Sequence, residues 1–124
     1  MNIANPLVSI VDDDESVRES LPDLLREFGF RVEAFSSAEE FLRSESLNRT
    51  KCLILDVAMP GMNGPELQRE LARRGQFVPI VFITAHKNDA MRPRLIAQGA
   101  VDCLLKPFSD AELQAALNAA LDKN

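Results

Sequence analysis

Carboxylates gather where the apolar runs of this chain stop. Leu7-Val8-Ser9-Ile10-Val11 leads into Asp12-Asp13-Asp14, and Cys52-Leu53-Ile54-Leu55 leads into Asp56. Ile80-Val81-Phe82-Ile83 ends in Thr84, and the run from Val101 to Leu105 ends in Lys106-Pro107. Laid side by side as parallel strands, these runs bring carboxylates, one hydroxyl and one ammonium to a single edge. In open α/β sheets, ligands bind at that carboxyl edge. Clustered carboxylates repel one another unless a cation joins them, and Mg2+ suits a site made only of oxygens. The residue types point to metal-assisted phosphoryl chemistry.

The elements that must position these groups alternate. Helical spacing of Val17, Leu21, Leu24, Leu25 and Phe28 follows the first run and stops at Gly29. Arg31 to Phe35 reads as a short second strand whose alternation suits a sheet edge. Ser37 and Glu40 have the spacing of a capping box opening a helix through Phe41 and Leu42. Pro65 suits the first turn of a helix carrying Leu67 and Leu71, with Gly75 after it. A fourth helix should end at Gly99. Ser109 and Glu112 form a second capping box, for a helix carrying Leu113, Leu117 and Leu121. Repeated βα units imply a parallel sheet covered on both faces. Right-handed crossovers then favour a flavodoxin-like three-layer (βα)5 sandwich with strand order 2-1-3-4-5. Pro22 and Pro93 fall inside helical patterns, where a kink is the ordinary result. Alternatively the fourth helix starts at Pro93, leaving a loop from Ala85 to Arg92.

Length and composition narrow the class. The chain has 124 residues, which suits one domain, 1–124, and 46% of them are hydrophobic, enough for a sizeable core. A net charge of −5 argues against direct binding to nucleic acid or to an anionic membrane. No run approaches membrane-spanning length, and Met1 to Pro6 lacks the basic start and apolar stretch of a signal peptide. Cys52 and Cys103 read as buried, reduced thiols, which suits a cytoplasmic location. Asp14 reads as a helix-start acid, Arg73-Arg74 as charges at a helix C-terminus, and His86 as an exposed loop residue.

Val11-Asp12-Asp13, Asp56 with Met59-Pro60-Gly61-Met62-Asn63-Gly64, Thr84-Ala85, and Lys106-Pro107-Phe108 occur in order at strand ends. In these motifs the chain resembles, over its full length, the receiver domains of two-component response regulators. Gly99-Ala100-Val101-Asp102 is most similar to receivers of the FixJ/NarL type, which usually precede a helix-turn-helix DNA-binding domain. The resemblance implies that Asp56 accepts a phosphoryl group from a sensor histidine kinase. It also implies Mg2+ held directly by Asp13, Asp56 and the Ala58 carbonyl, with Asp12 helping through water. By the same resemblance, Lys106 contacts the phosphoryl group and Thr84 hydrogen-bonds it after transfer. The implied protein catalyses its own phosphorylation and turns over no outside substrate. It would switch a protein-binding face, act on a DNA-binding output domain or another protein, and could dimerise when phosphorylated. The Lys106-Pro107 bond is expected to be cis.

Two residues depart from the family pattern. Cys103 stands where an aromatic ring usually reports movement of the threonine, and Pro93 falls in the helix bordering the output surface. The signal would then be carried by the Ala85 to Arg92 loop and the start of the fourth helix, a segment expected to be mobile before phosphorylation and ordered afterwards. A receiver-like scaffold that does not switch is the alternative that Cys103 favours. A haloacid-dehalogenase-type phosphatase would share a D-x-D after strand one. It would need Gly and Thr after the triplet and an acidic pair in place of Lys106-Pro107. A flavodoxin-like FMN carrier would need a Ser/Thr/Gly-rich phosphate cradle where this chain has three aspartates.

Overall fold

Each apolar run becomes a strand. The computed structural model describes residues 5–86 and 90–122. The strands are β1 (Leu7–Val11), β2 (Arg31–Phe35), β3 (Thr50–Asp56), β4 (Ile80–Thr84) and β5 (Asp102–Leu105). They pair in parallel in the order β2-β1-β3-β4-β5, as the alternation of elements implied. The helices are α1 (Glu15–Glu27), α2 (Ala38–Leu42), α3 (Gly64–Arg73), α4 (Met91–Ala97) and α5 (Asp110–Leu121).

Side chains on a strand alternate between the two faces of the sheet. Leu53 and Leu55 join Val11, Phe82, Phe41, Leu67, Leu71 and Leu95 on one side, which places α2, α3 and α4 there. Cys52 and Ile54 join Ile10, Ile83, Leu25, Leu113 and Leu117 on the other, which places α1 and α5 there. β1 and β4 are buried at every position, as strands covered on both faces must be. β2 buries only Phe35, which stacks edge-on against Phe41 with ring centroids 5.4 Å apart. Cys52 and Cys103 are both free and buried, and they lie in opposite cores, so the sheet itself separates them.

Helix ends account for most differences from the sequence reading. Ser37 caps α2 by accepting from the Glu40 N–H. Glu40 does not complete the box, because its carboxylate takes the Ser36 N–H at 2.7 Å instead. The box at Ser109 and Glu112 forms in full, and Asn63 with Glu66 forms another at the start of α3. Asp14 caps α1 through the Ser16 N–H. Arg73 and Arg74 both pair with Glu70, which pulls that carboxyl down to about 2. α1 continues through the buried Pro22. α4 begins at Met91, so Pro93 is its third residue. Amides of a first turn have no partner within the helix, and proline loses nothing there. Pro93 therefore neither kinks α4 nor starts it. The start of α4 is weak for another reason, since Ala90 has no side-chain oxygen to cap it. Of the loop expected from Ala85 to Arg92, residues 87–89 lie outside the described residues.

Candidate functional site

Register brings the acidic strand ends together. Val11 pairs with Leu55, so the next residues, Asp12 and Asp56, leave neighbouring strands side by side. Asp56 pairs with Ile83 in turn, and Thr84 pairs with Leu105. Backbone bonds continue the sheet past its ends: the Val57 N–H donates to the Ile83 carbonyl at 3.0 Å, and the Lys106 N–H to the Thr84 carbonyl at 2.8 Å. Carboxylate oxygens of Asp12, Asp13 and Asp56 all lie within 4.8 Å of one another. Asp12 and Asp56 are buried, and Asp13 is exposed at the mouth.

Asp12 is the most fully constrained of the three. It is 0% exposed. One carboxylate oxygen accepts the Asp14 N–H at 2.8 Å, and the other meets the Lys106 ammonium at 3.2 Å. Its carbonyl accepts from the Arg18 guanidinium at 2.9 Å. Lys106 reaches the site from β5 across β4 and β3, and its bond to Pro107 is cis, as expected. Asp56 carries the electrostatic load. Burial first, and the charge of Asp12 second, push its carboxyl up to about 7, against the opposing pull of Lys106. A carboxyl so perturbed within a cluster of charges is a mark of a functional site.

The sequence-derived residues thus meet at one edge, with one qualification. Thr84 is buried at the strand end, but its hydroxyl accepts the His86 N–H at 3.1 Å and turns toward its own loop. His86 is exposed, as read from its loop position. Ala58 sits in the loop after β3, and its backbone N–H supports the Asp56 carboxylate. Arg18 is the functional residue that the sequence does not mark. A lone arginine on the first helix gives no signal there, because its contact with Asp12 depends on how α1 returns over the sheet.

The donor set suits a hard divalent cation. Three clustered carboxylates, one of them raised by burial and then by its acidic neighbour, carry more negative charge than Lys106 alone offsets.

This fold and this edge define a signalling domain, and the chain belongs to the response regulator receiver domain family, whose model matches residues 8–118. It is 47% identical over 118 residues to nodulation protein W of Bradyrhizobium diazoefficiens, spanning 95% of this chain and 52% of that protein. It is 45% identical over 115 residues to response regulator protein TodT of Pseudomonas putida F1, spanning 93% of this chain and 51% of that protein. The chain therefore spans about half the length of the curated relatives it matches. Among solved structures it is similar to the response regulator StyR, with TM-score 0.89 and 46% identity over 98% of this chain and 61% of that one. It is also similar to the FixJ-N crystal structure, with TM-score 0.86 and 35% identity over 98% of each chain.

Proposed function

We propose that this domain accepts a phosphoryl group on Asp56 from a histidine kinase in a Mg2+-dependent reaction and then alters a protein-binding face. The observation that carries this reading is the cluster of Asp12, Asp13 and Asp56 with Lys106 closing one side. A carboxylate oxygen of Asp56 attacks phosphorus as the bond from phosphorus to the donor histidine nitrogen breaks, and the freed imidazole keeps the electron pair. Asp13, Asp56 and the Ala58 carbonyl would hold Mg2+, with Asp12 contributing through water. When bound, the ion supplies charge neutralisation at the phosphoryl oxygens. Lys106 adds a second positive charge at the same oxygens. Asp12 aims that ammonium, and Arg18 steadies the backbone of Asp12.

After transfer, Thr84 has a new acceptor to serve. Its hydroxyl now holds the His86 N–H, and turning toward phosphoaspartate releases that amide. The change begins at His86, just past β4, so the buried Cys103 need not move to start it. Because the His86 amide is already held by Thr84, its exchange should accelerate on phosphorylation, the opposite of the ordering expected of this loop, and equal protection in both states would contradict this route.

The output is a further domain or another protein, and the relatives point to control of transcription, since one is named transcriptional regulatory protein FixJ. A cytoplasmic location follows from a kinase-driven role. No described helix is long and apolar enough to cross a membrane.

The Mg2+ requirement gives the test. Incubation with acetyl phosphate should phosphorylate the protein with Mg2+ and fail in EDTA, and Asp13→Ala should lower both Mg2+ affinity and labelling. Labelling that persists in EDTA would remove the metal from the reaction. The raised carboxyl of Asp56 adds a pH dependence. Below about 7 a proton competes with the cation, so Mg2+ affinity should rise by up to about tenfold per pH unit toward 7 and then level off. Titrations that find the same affinity at pH 6 and pH 8 would remove Asp56 from the metal site.

A further inference from the structure

The loop that carries Ala58 is fastened unevenly. At its base, the Gly64 N–H donates to the Val57 carbonyl at 3.0 Å, and Asn63 with Glu66 caps α3. The Met59 side chain is buried, and Met62 packs against the same core. Toward α4 the loop borders an open cleft of about 570 Å3 lined by Ala58, Met59, Pro60, Asn63 and Met91. Toward α2 it meets the Glu39 side chain. Glu39 extends a carboxylate to the Met62 N–H at 3.2 Å. The same oxygen lies 3.1 Å from where a Cβ on Gly61 would stand, and Gly61 has a φ of +74. The loop tip therefore turns closely over the Glu39 carboxylate, which a side chain at Gly61 would crowd.

We infer that Glu39 is a positioning residue: as a strut from α2, it fixes the tip of the loop and so the direction of the Ala58 carbonyl toward the cation. This inference rests on the metal reading of the site given above. The strut acts by reach and by hydrogen-bond acceptance. Its charge is incidental. Groups that orient the ligands of a metal, without touching it, commonly change affinity by roughly 10-fold to 100-fold.

Reach and charge can be separated with three variants. Glu39→Gln keeps the length and the acceptor oxygen and loses the charge. Glu39→Asp keeps the charge and is one methylene too short. Glu39→Ala loses both. Two readouts are needed, Mg2+ affinity and amide exchange at Met62 in the metal-free protein, with thermal melts to establish that each variant is folded. The strut predicts that Glu39→Gln matches the unaltered protein in both. It predicts that Glu39→Asp and Glu39→Ala expose the Met62 amide and weaken Mg2+ by about tenfold. If Glu39→Gln weakens Mg2+ as much as Glu39→Ala while Glu39→Asp does not, the effect is charge and the strut is wrong. Unchanged affinity in Glu39→Ala overturns it as well. Should the unaltered protein bind no Mg2+, the metal reading fails by itself. Met62 exchange then still decides whether Glu39 holds the loop.

Discussion

Gly64→Ala should be among the most damaging single substitutions in this fold. A Cβ at that position would stand 2.4 Å from the Asp56 carbonyl oxygen and 2.9 Å from the Phe82 ring. The nearer neighbour is backbone of the strand that bears Asp56, so no side-chain rotation relieves the clash. Either α3 retreats from the sheet or the end of β3 bends. Overpacking of a tight core costs about 1–3 kcal/mol and sometimes more, and a backbone neighbour places this case at the upper end. Loss of about 3 kcal/mol corresponds to a fall in Tm of roughly 10 °C in a domain of this size. The displaced Asp56 should also lose its alignment with Asp12, so Mg2+ affinity should fall with stability. Thermal melts with and without Mg2+ measure both. A variant that melts within about 2 °C of the unaltered protein would mean that helix and strand do not pack this closely.

Asp56→Asn should stabilise the metal-free protein while removing the proposed phosphoacceptor. The folded carboxyl titrates near 7, and an unfolded aspartate titrates near 4. Below about pH 4 both states are protonated, and the aspartate carries no penalty. Between about 4 and 7 the folded state holds a proton that the unfolded state has lost, so stability falls as pH rises through that window. Above 7 the penalty is complete. Asparagine has no such titration. The variant should therefore be more stable than the unaltered protein by about 2 kcal/mol at pH 8 in EDTA, half of the roughly 4 kcal/mol that the full shift implies because solvent at the mouth of the site screens the charges, with the gap closing toward pH 4. Saturating Mg2+ should reverse the order, because the cation stabilises the form that binds it. Denaturant titrations at two pH values test this, and a gap that does not change with pH would contradict the assigned titration.

The strands were legible because their burial is written in composition. Ile80 to Thr84 is apolar up to its last residue and is buried throughout. Arg31 to Phe35 alternates and lies at an edge. The acidic edge followed once the strands were parallel, since register alone brings Asp12 beside Asp56. Helix ends were read less well. Glu40 had two amides within reach and took Ser36, a choice between adjacent residues that spacing does not encode. The box at Asn63 and Glu66 carries its spacing in the sequence, overlaid by the first-turn signal of Pro65. Pro93 could be read as a break or as a first-turn residue, and where α4 begins decided between them. The least legible contacts are those that spacing does not set, whether the partners are near or far in sequence. Arg18 on the Asp12 carbonyl, Glu39 under Gly61 and Thr84 turned toward His86 each depend on the assembled fold.

The most direct test of the central claim is the intact mass of the protein after reaction with acetyl phosphate and Mg2+, compared with that of Asp56→Asn. One added phosphoryl group on the unaltered protein and none on the variant is the predicted result. Full labelling of Asp56→Asn would place the phosphoryl group on another residue and contradict the account.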